Sequence, residues 1–240
     1  VADMILERLP ATLELALVSA LFAMFFGVVM GVFTAINRRG ITGNFILSSS
    51  LIGVSLPTFL IGVLLIWLFS VELRWLPSFG RGEVVELGGW TTGFLTVSGL
   101  KSLILPGITL GLYQMTLIMR LTRAEMLEVL RQDYIRTAQA KGLSEGQVVI
   151  GHALRNAMIP VFTIIALDFG YLFSGALITE TIFSYPGMGK LIFDSIMGND
   201  FNLALIALLF ATALTLCGNF LADVAYAVLD RRISLVELSE

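Results

Sequence analysis

Four stretches of this chain carry no charged residue: Leu15 to Asn37, Gly40 to Val71, Ser102 to Met119 and Phe201 to Ala222. An α-helix needs about 20 apolar residues to cross a bilayer, so each is a candidate span. A fifth, about Ala157 to Thr179, is interrupted only by Asp168. In lipid every backbone polar group must be satisfied within the protein, which a helix does by itself. The expected fold class is therefore all-α, a polytopic transmembrane helical bundle with five spans in this chain. Composition agrees: 57% of residues are hydrophobic and only 14% are charged.

The spans are placed at about Pro10–Ile36, Asn44–Val71, Leu103–Thr122, Ala157–Thr179 and Phe201–Leu229. Pro10 suits the first turn of a helix, where its missing N–H costs nothing. Pro57 falls in the middle of the second span and should kink or break it. Gly27 with Gly31, and Gly107 with Gly111, make two GxxxG steps that suit close helix packing, with subunit contact as the more speculative use. Cys217, the single cysteine, reads as a small buried packing residue. With one histidine, His152, no His-rich metal site can form.

Lys and Arg set the orientation. With the loop after the first span inside, Arg38, Arg39, Arg120, Arg123, Arg131, Arg136, Lys141, Arg155, Arg231 and Arg232 are all cytoplasmic. The other side holds only Arg8, Arg74, Arg81, Lys101 and Lys190, and basic residues favour the inside. The C-terminus is then cytoplasmic and Val1 outside. That arrangement, together with the absent initiator Met, leads to the expectation of an upstream span and six in the full protein. The outer loops are about Glu72 to Lys101, with Trp75 and Trp90 suited to the headgroup interface, and Glu180 to Asp200, whose segment after Pro186-Gly187 could lie on the membrane surface. The whole of 1–240 reads as one membrane domain.

A polar, basic island at about 123–157 separates the third and fourth spans. Leu127, Leu130, Tyr134 and Ala138 recur at helical spacing and predict one stripe along one helix. Lys141 complements the helix dipole, and Gly142 can take positive φ and stop the helix. Ser144 and Gln147 have capping-box spacing and start a second helix. Ala138 and Ala140 are small enough to let another backbone come close. An ordinary basic connection explains the same residues equally well.

The wording of this island, RTAQAKGLS followed by HALRNAMIP, resembles the coupling loop of ABC-importer permeases of the dipeptide/oligopeptide/nickel branch. Gly142 anchors the match, with Ala138 and Ala140 before it and Leu154 after it. Arg136 and Arg155 stand where the general pattern has Glu and Pro. The segment Arg8 to Leu15 resembles that branch's opening of its second span, and Ile182 to Gly189 resembles its outer segment. The resemblance implies an inner-membrane subunit of a bacterium or archaeon that forms half of a pathway for peptides or a related small solute. Its implied partners are a second homologous permease, two ATP-binding subunits that carry ATP and Mg, an extracytoplasmic binding protein and the lipid bilayer. No nucleic acid and no cofactor on this chain are implied. Arg136, Ala138, Ala140, Lys141, Gly142, Ser144, Leu154 and Arg155 would couple to the ATPases. Tyr185, Pro186 and Gly187 would meet the binding protein.

Asp168 is the sharpest oddity inside a span. It could line the pathway and contact a substrate amine or cation, but an interhelical hydrogen bond or a pair with a basic residue of the other permease is the favoured reading. Asn219 and Asp223, one turn apart, carry the same alternatives, and Glu14 reads as interfacial. Gly187-Met188-Gly189-Lys190 fails as a phosphate loop, because Leu191 follows the lysine and Ser184 stands where the first glycine belongs. The competing class is an ion-coupled secondary transporter or channel that uses Asp168 and the break at Pro57 without ATP.

Overall fold

The computed structural model describes the backbone of residues 1–229 and their side chains except at 52, 164, 166–174, 221–223 and 225–229. The described chain is helical throughout apart from one short hairpin and the connecting turns and loops. Its elements are α1 (Ala2–Ile36), α2 (Ile41–Ser55), α3 (Thr58–Leu65) continuing as a π-helical segment (Ile66–Glu72), β1 (Val85–Leu87), β2 (Trp90–Thr92), α4 (Val97–Val129), α5 (Asp133–Ala140), a second π-helical segment (Gln147–Leu154) running into α6 (Arg155–Ile182), α7 (Met188–Met197) and α8 (Phe201–Leu229). Three described stretches are long and apolar enough to cross a membrane, in α1, α4 and Phe201–Phe220, and α2 with α3 makes a fourth if the bent pair is one span. The fourth predicted span lies within the 28-residue α6.

Helix α4 is the axis of the bundle. Of its most apolar window 72% is buried, against 33% for α1 and 17% for α8, and α1, α2, α3 and α6 all pack on it. The α1–α4 seam uses the small residues. Gly27 sits against Ile118 and the Met115 carbonyl, Gly31 against Thr122 and the Met119 carbonyl, and Gly107 and Gly111 meet Val18 and Ser19. Both GxxxG steps thus serve one contact within the chain. Helix α1 is inverted relative to a helix of a water-soluble protein. Ala16, Ser19, Ala23 and Gly27 are buried while Leu21, Phe25 and Val29 face outward, which is the arrangement expected where lipid rather than water surrounds the bundle.

Pro57 breaks the second span as expected, and its two halves are bent by 109°. Pro10 departs from expectation: it lies inside α1, a helix that begins about two turns earlier at Ala2. Cys217 is exposed on α8 rather than buried. The predicted stripe from Leu127 to Ala138 is split, because α4 ends at Val129 and Gln132 takes extended backbone (ψ 149°) before α5 starts. Tyr134 consequently points outward, while Leu127 and Leu130 remain packed on the cluster that buries Ala138. Helix α7 divides its apolar residues between the bundle and the outside, with Phe193, Ile196 and Met197 exposed. Met188, Leu191 and Ile192 are buried against Ile5, Leu203 and Ala207. The hairpin, antiparallel with Leu87 opposite Trp90, lies within the outer loop expected at about Glu72 to Lys101.

Candidate functional site: a capped helical hairpin and an interlocked far end

The two ends of the bundle are built differently. At one end the chain folds α5, a glycine turn and the Gln147–Leu154 segment into a hairpin. Helix α5 stops in a Schellman motif. The Gly142 N–H donates to the Gln139 carbonyl (2.9 Å) and the Leu143 N–H to the Ala138 carbonyl (3.4 Å). Gly142 takes φ +82°, the left-handed conformation this motif needs and one that L side chains adopt only at a cost. The capping box is half formed. Gln147 Oε1 accepts the Ser144 N–H (3.0 Å) and also the Ser144 hydroxyl (2.9 Å), so the serine donates to the glutamine instead of accepting from the helix end. The Gln147–Leu154 segment winds as a π-helix, which no residue pattern announces.

That packing makes the hairpin one body with the bundle. Ile135 and Ala138 of α5 are buried with Val148, Val149 and Ala153 of the π-helical segment, Met126 of α4, Ala157 of α6 and Ala35 of α1. Tyr134 Oη accepts a hydrogen bond from Asn156 Nδ2 (2.9 Å), a further tie from α5 to α6. Ala138 therefore does not offer a close approach to another chain, since its small side chain is filled against its own hairpin. Arg136, Ala140, Lys141, Gly142, Ser144 and Arg155 are exposed, and Leu154 is half-buried. Arg136 pairs with Asp133 at 3.4 Å, but both are open to solvent and such a pair contributes little. The exposed face also carries an open apolar hollow of about 550 Å³ lined by Leu143, Gln147, Ile150 and Gly151, with Ile150 69% exposed at its rim.

The opposite end is held by two buried carboxylates. Glu14, expected at the interface, is enclosed by the protein. It is 3% exposed and paired with Arg81, itself 8% exposed, at 2.8 Å. Arg81 donates Nε and Nη2 to Glu14 Oε2, Nη1 to the Thr91 hydroxyl and Nη2 to the Thr91 carbonyl, and the Gly93 N–H donates to Glu14 Oε1. Glu180 accepts the Thr12 hydroxyl (2.6 Å) and the Lys190 N–H (3.0 Å), and Thr12 in turn accepts the Met188 N–H (2.7 Å). A Cβ on Gly187 would overlap the Glu180 carboxylate. One turn of α1 thereby joins the hairpin, the end of α6 and the start of α7. Tyr185 is fully buried and Gly187 is buried too, leaving Pro186 as the partly exposed member of that trio. Two of the three residues expected at a protein contact therefore hold the turn instead. Burial pushes the Tyr185 hydroxyl well above the ordinary phenol range. The Glu14–Arg81 and Thr12–Glu180 pairs are not evident from the sequence. The available signal was that a carboxylate flanked by apolar residues must find a partner.

Of the residues expected inside the spans, Asp168 and Asp223 fall outside the described side chains. Asn219 is half-buried on α8, and among the described residues its Oδ1 has no partner, as is true of Gln114 Oε1 on α4. Among the described residues no group of three or more His, Cys, Asp or Glu side chains is placed to hold a metal ion.

Residues 27–235 match the family described as binding-protein-dependent transport system inner membrane component. The chain is 44% identical over 240 residues to the di/tripeptide transport system permease protein DppB of Pseudomonas aeruginosa, covering 95% of this chain and 71% of that protein. It is 40% identical over 237 residues to the dipeptide transport system permease protein DppB of Alkalihalophilus pseudofirmus, covering 94% and 71%. Its fold is similar to a chain of the MetNI methionine ABC transporter in an inward-facing conformation, with a TM-score of 0.71 at 18% identity over 92% of this chain and 93% of that one.

Proposed function

The chain belongs to the family of binding-protein-dependent transport system inner membrane components, and from that premise we propose that the α5 hairpin is the element through which ATP hydrolysis on partner subunits moves the spans. The chain is a permease subunit of an ABC importer for peptides, and the hydrolytic chemistry belongs to other chains. A coupling element must transmit displacement without bending. The observation that carries the assignment is the single cluster that joins Ile135 and Ala138 to Met126, Ala157 and Ala35. A push on α5 reaches α4, α6 and α1 together. The exposed face of the same hairpin, with Arg136, Ala140, Lys141, Ser144, Arg155 and the hollow beside Ile150, is where an ATPase subunit would seat. The ATPases need to favour one arrangement of this hairpin over another for hydrolysis to drive transport.

In this reading the hairpin end is cytoplasmic, which the Lys and Arg distribution supports. The Arg81 end then faces outward, where an extracytoplasmic binding protein would meet the rim around Pro186. A second, similar permease completes the pathway, and two ATP-binding subunits with ATP and Mg complete the importer in a bacterial cytoplasmic membrane. Asn219, half-buried on α8, is suited to face that pathway or the second permease, whereas Gln114 is enclosed within the bundle.

The test is the full-length permease assembled with its partners in proteoliposomes. Gly142→Pro cannot adopt positive φ and removes the N–H that closes the Schellman motif. It is expected to leave insertion and assembly intact while ATP hydrolysis continues without peptide uptake. Normal uptake per ATP in that variant would show that the hairpin does not couple.

A further inference from the structure

At the end of the bundle away from Gly142 a cavity of about 310 Å³ opens between the second turn of α1, the Arg81 loop, β2 and the turn at Pro186. Pockets that hold small molecules begin near this volume. Its walls include Glu7, Arg8, Arg81, Val84, Thr91 and Pro186. Arg81 is almost completely buried and locked by Glu14 and Thr91, so it forms a fixed wall with its charge already balanced. Glu7 and Arg8 are different. Glu7 is exposed and Arg8 half-buried, and neither forms a hydrogen bond or ion pair with another described side chain. Arg8 feels the Glu180 carboxylate, which is itself satisfied by Thr12 and the Lys190 N–H. As neighbours in a helix, Glu7 and Arg8 point in directions about 100° apart and do not face each other. Both nevertheless line one cavity. A hollow that offers one available carboxylate and one available guanidinium, with an apolar wall of Val84 and Pro186, is complementary to a small dipolar molecule.

We propose that this cavity is a receiving site for the free termini of a short peptide, with Glu7 taking the ammonium group and Arg8 the carboxylate. The inference rests on the peptide-importer reading and deepens it: the permease itself recognises that the cargo has two uncapped ends, before the cargo reaches the spans. The guanidinium fork suits a carboxylate, and a cavity of this volume accepts two small residues while excluding long peptides from full entry.

The test uses the full-length permease with its sister subunit and ATPases in lipid nanodiscs, without binding protein. Dialanine, N-acetyl-dialanine and dialaninamide are titrated by saturation-transfer NMR. Dialanine is expected to bind, and each blocked form to bind at least tenfold more weakly, the loss of one charge-assisted hydrogen bond. Glu7→Gln should erase the discrimination against the acetylated form only, and Arg8→Gln that against the amide only, with Arg8→Lys restoring part of it. Equal binding of all three probes, no binding of dialanine, or unchanged discrimination in both variants overturns the proposal. So does a result in which the variants weaken docking of added binding protein and leave dialanine affinity unchanged. Dialanine uptake by the complete complex in proteoliposomes is measured separately. Its absence would sink the peptide-importer reading, whereas binding that depends on Glu7 and Arg8 would still support the cavity.

Discussion

Replacing Arg81 by methionine should expose how much of the outer end depends on one ion pair. The substitution keeps most of the side-chain volume and removes four hydrogen bonds, two to Glu14 and two to Thr91. Glu14, 3% exposed, is left with the Gly93 N–H as its remaining described partner. Breaking a buried pair by deleting one member costs about 3–5 kcal/mol, most of it the penalty of a stranded charge. At about 2–4 °C per kcal/mol for a chain of this size, the melting midpoint should fall by roughly 6–20 °C. A stranded charge also dictates how the double variant must behave. Glu14→Leu with Arg81→Met removes both charges and leaves only the Gly93 N–H and the Thr91 groups short of partners, so it should be about 2 kcal/mol more stable than Arg81→Met alone. Thermal melts of the full-length protein in nanodiscs, followed by loss of monodispersity, close the double-mutant cycle. If the double variant is no more stable than Arg81→Met, or the single variant melts within about 3 °C of the parent, on the order of one kcal/mol, the pair does not hold this end.

Gly31→Ala should destabilise by about 1–3 kcal/mol through overpacking, because its Cβ would lie 2.6 Å from the Thr122 Cβ and 2.8 Å from the Met119 carbonyl oxygen; a melt unchanged from the parent would show that the α1–α4 seam has slack. Gly187→Ala should displace the Glu180 carboxylate, costing about 2–3 kcal/mol in lost charge-assisted bonds. Its combination with Thr12→Val should be milder than the sum of the two in the same thermal melts, since both break one network. Gly142→Ala should cost about 1–2 kcal/mol through its left-handed backbone alone, seen as faster amide exchange over residues 133–154, with Gly142→Asn falling between alanine and the parent.

The features legible in the sequence obey local rules. Charge-free runs located the spans, Pro57 its break, the paired glycines a close seam, and Gly142 its turn. Each of these depends on residues within a few positions of one another. The features that escaped are set by distant partners. Glu14 meets Arg81 across 67 positions and Thr12 meets Glu180 across 168, so nothing beside either residue distinguishes a buried pair from an interfacial charge. The split of the Leu127–Ala138 stripe has no glycine or proline to announce it. The π-helical winding of Gln147–Leu154 likewise has no pattern in its residues that announces it. The hairpin was thus visible as a sequence element, whereas its fusion to α1, α4 and α6 was not.

The glycines of this chain are required for two unlike reasons. Gly31 and Gly187 are constrained by volume, because a methyl group at either would overlap a neighbour. At Gly142 nothing lies within 4 Å of where a Cβ would stand, and the residue has φ +82°. That position is constrained by chirality. A D-alanine introduced there by peptide ligation would meet a backbone suited to its own hand, and by narrowing the freedom of the unfolded chain it should tighten the hairpin, whereas the same mirror-image residue at Gly31 would relieve nothing.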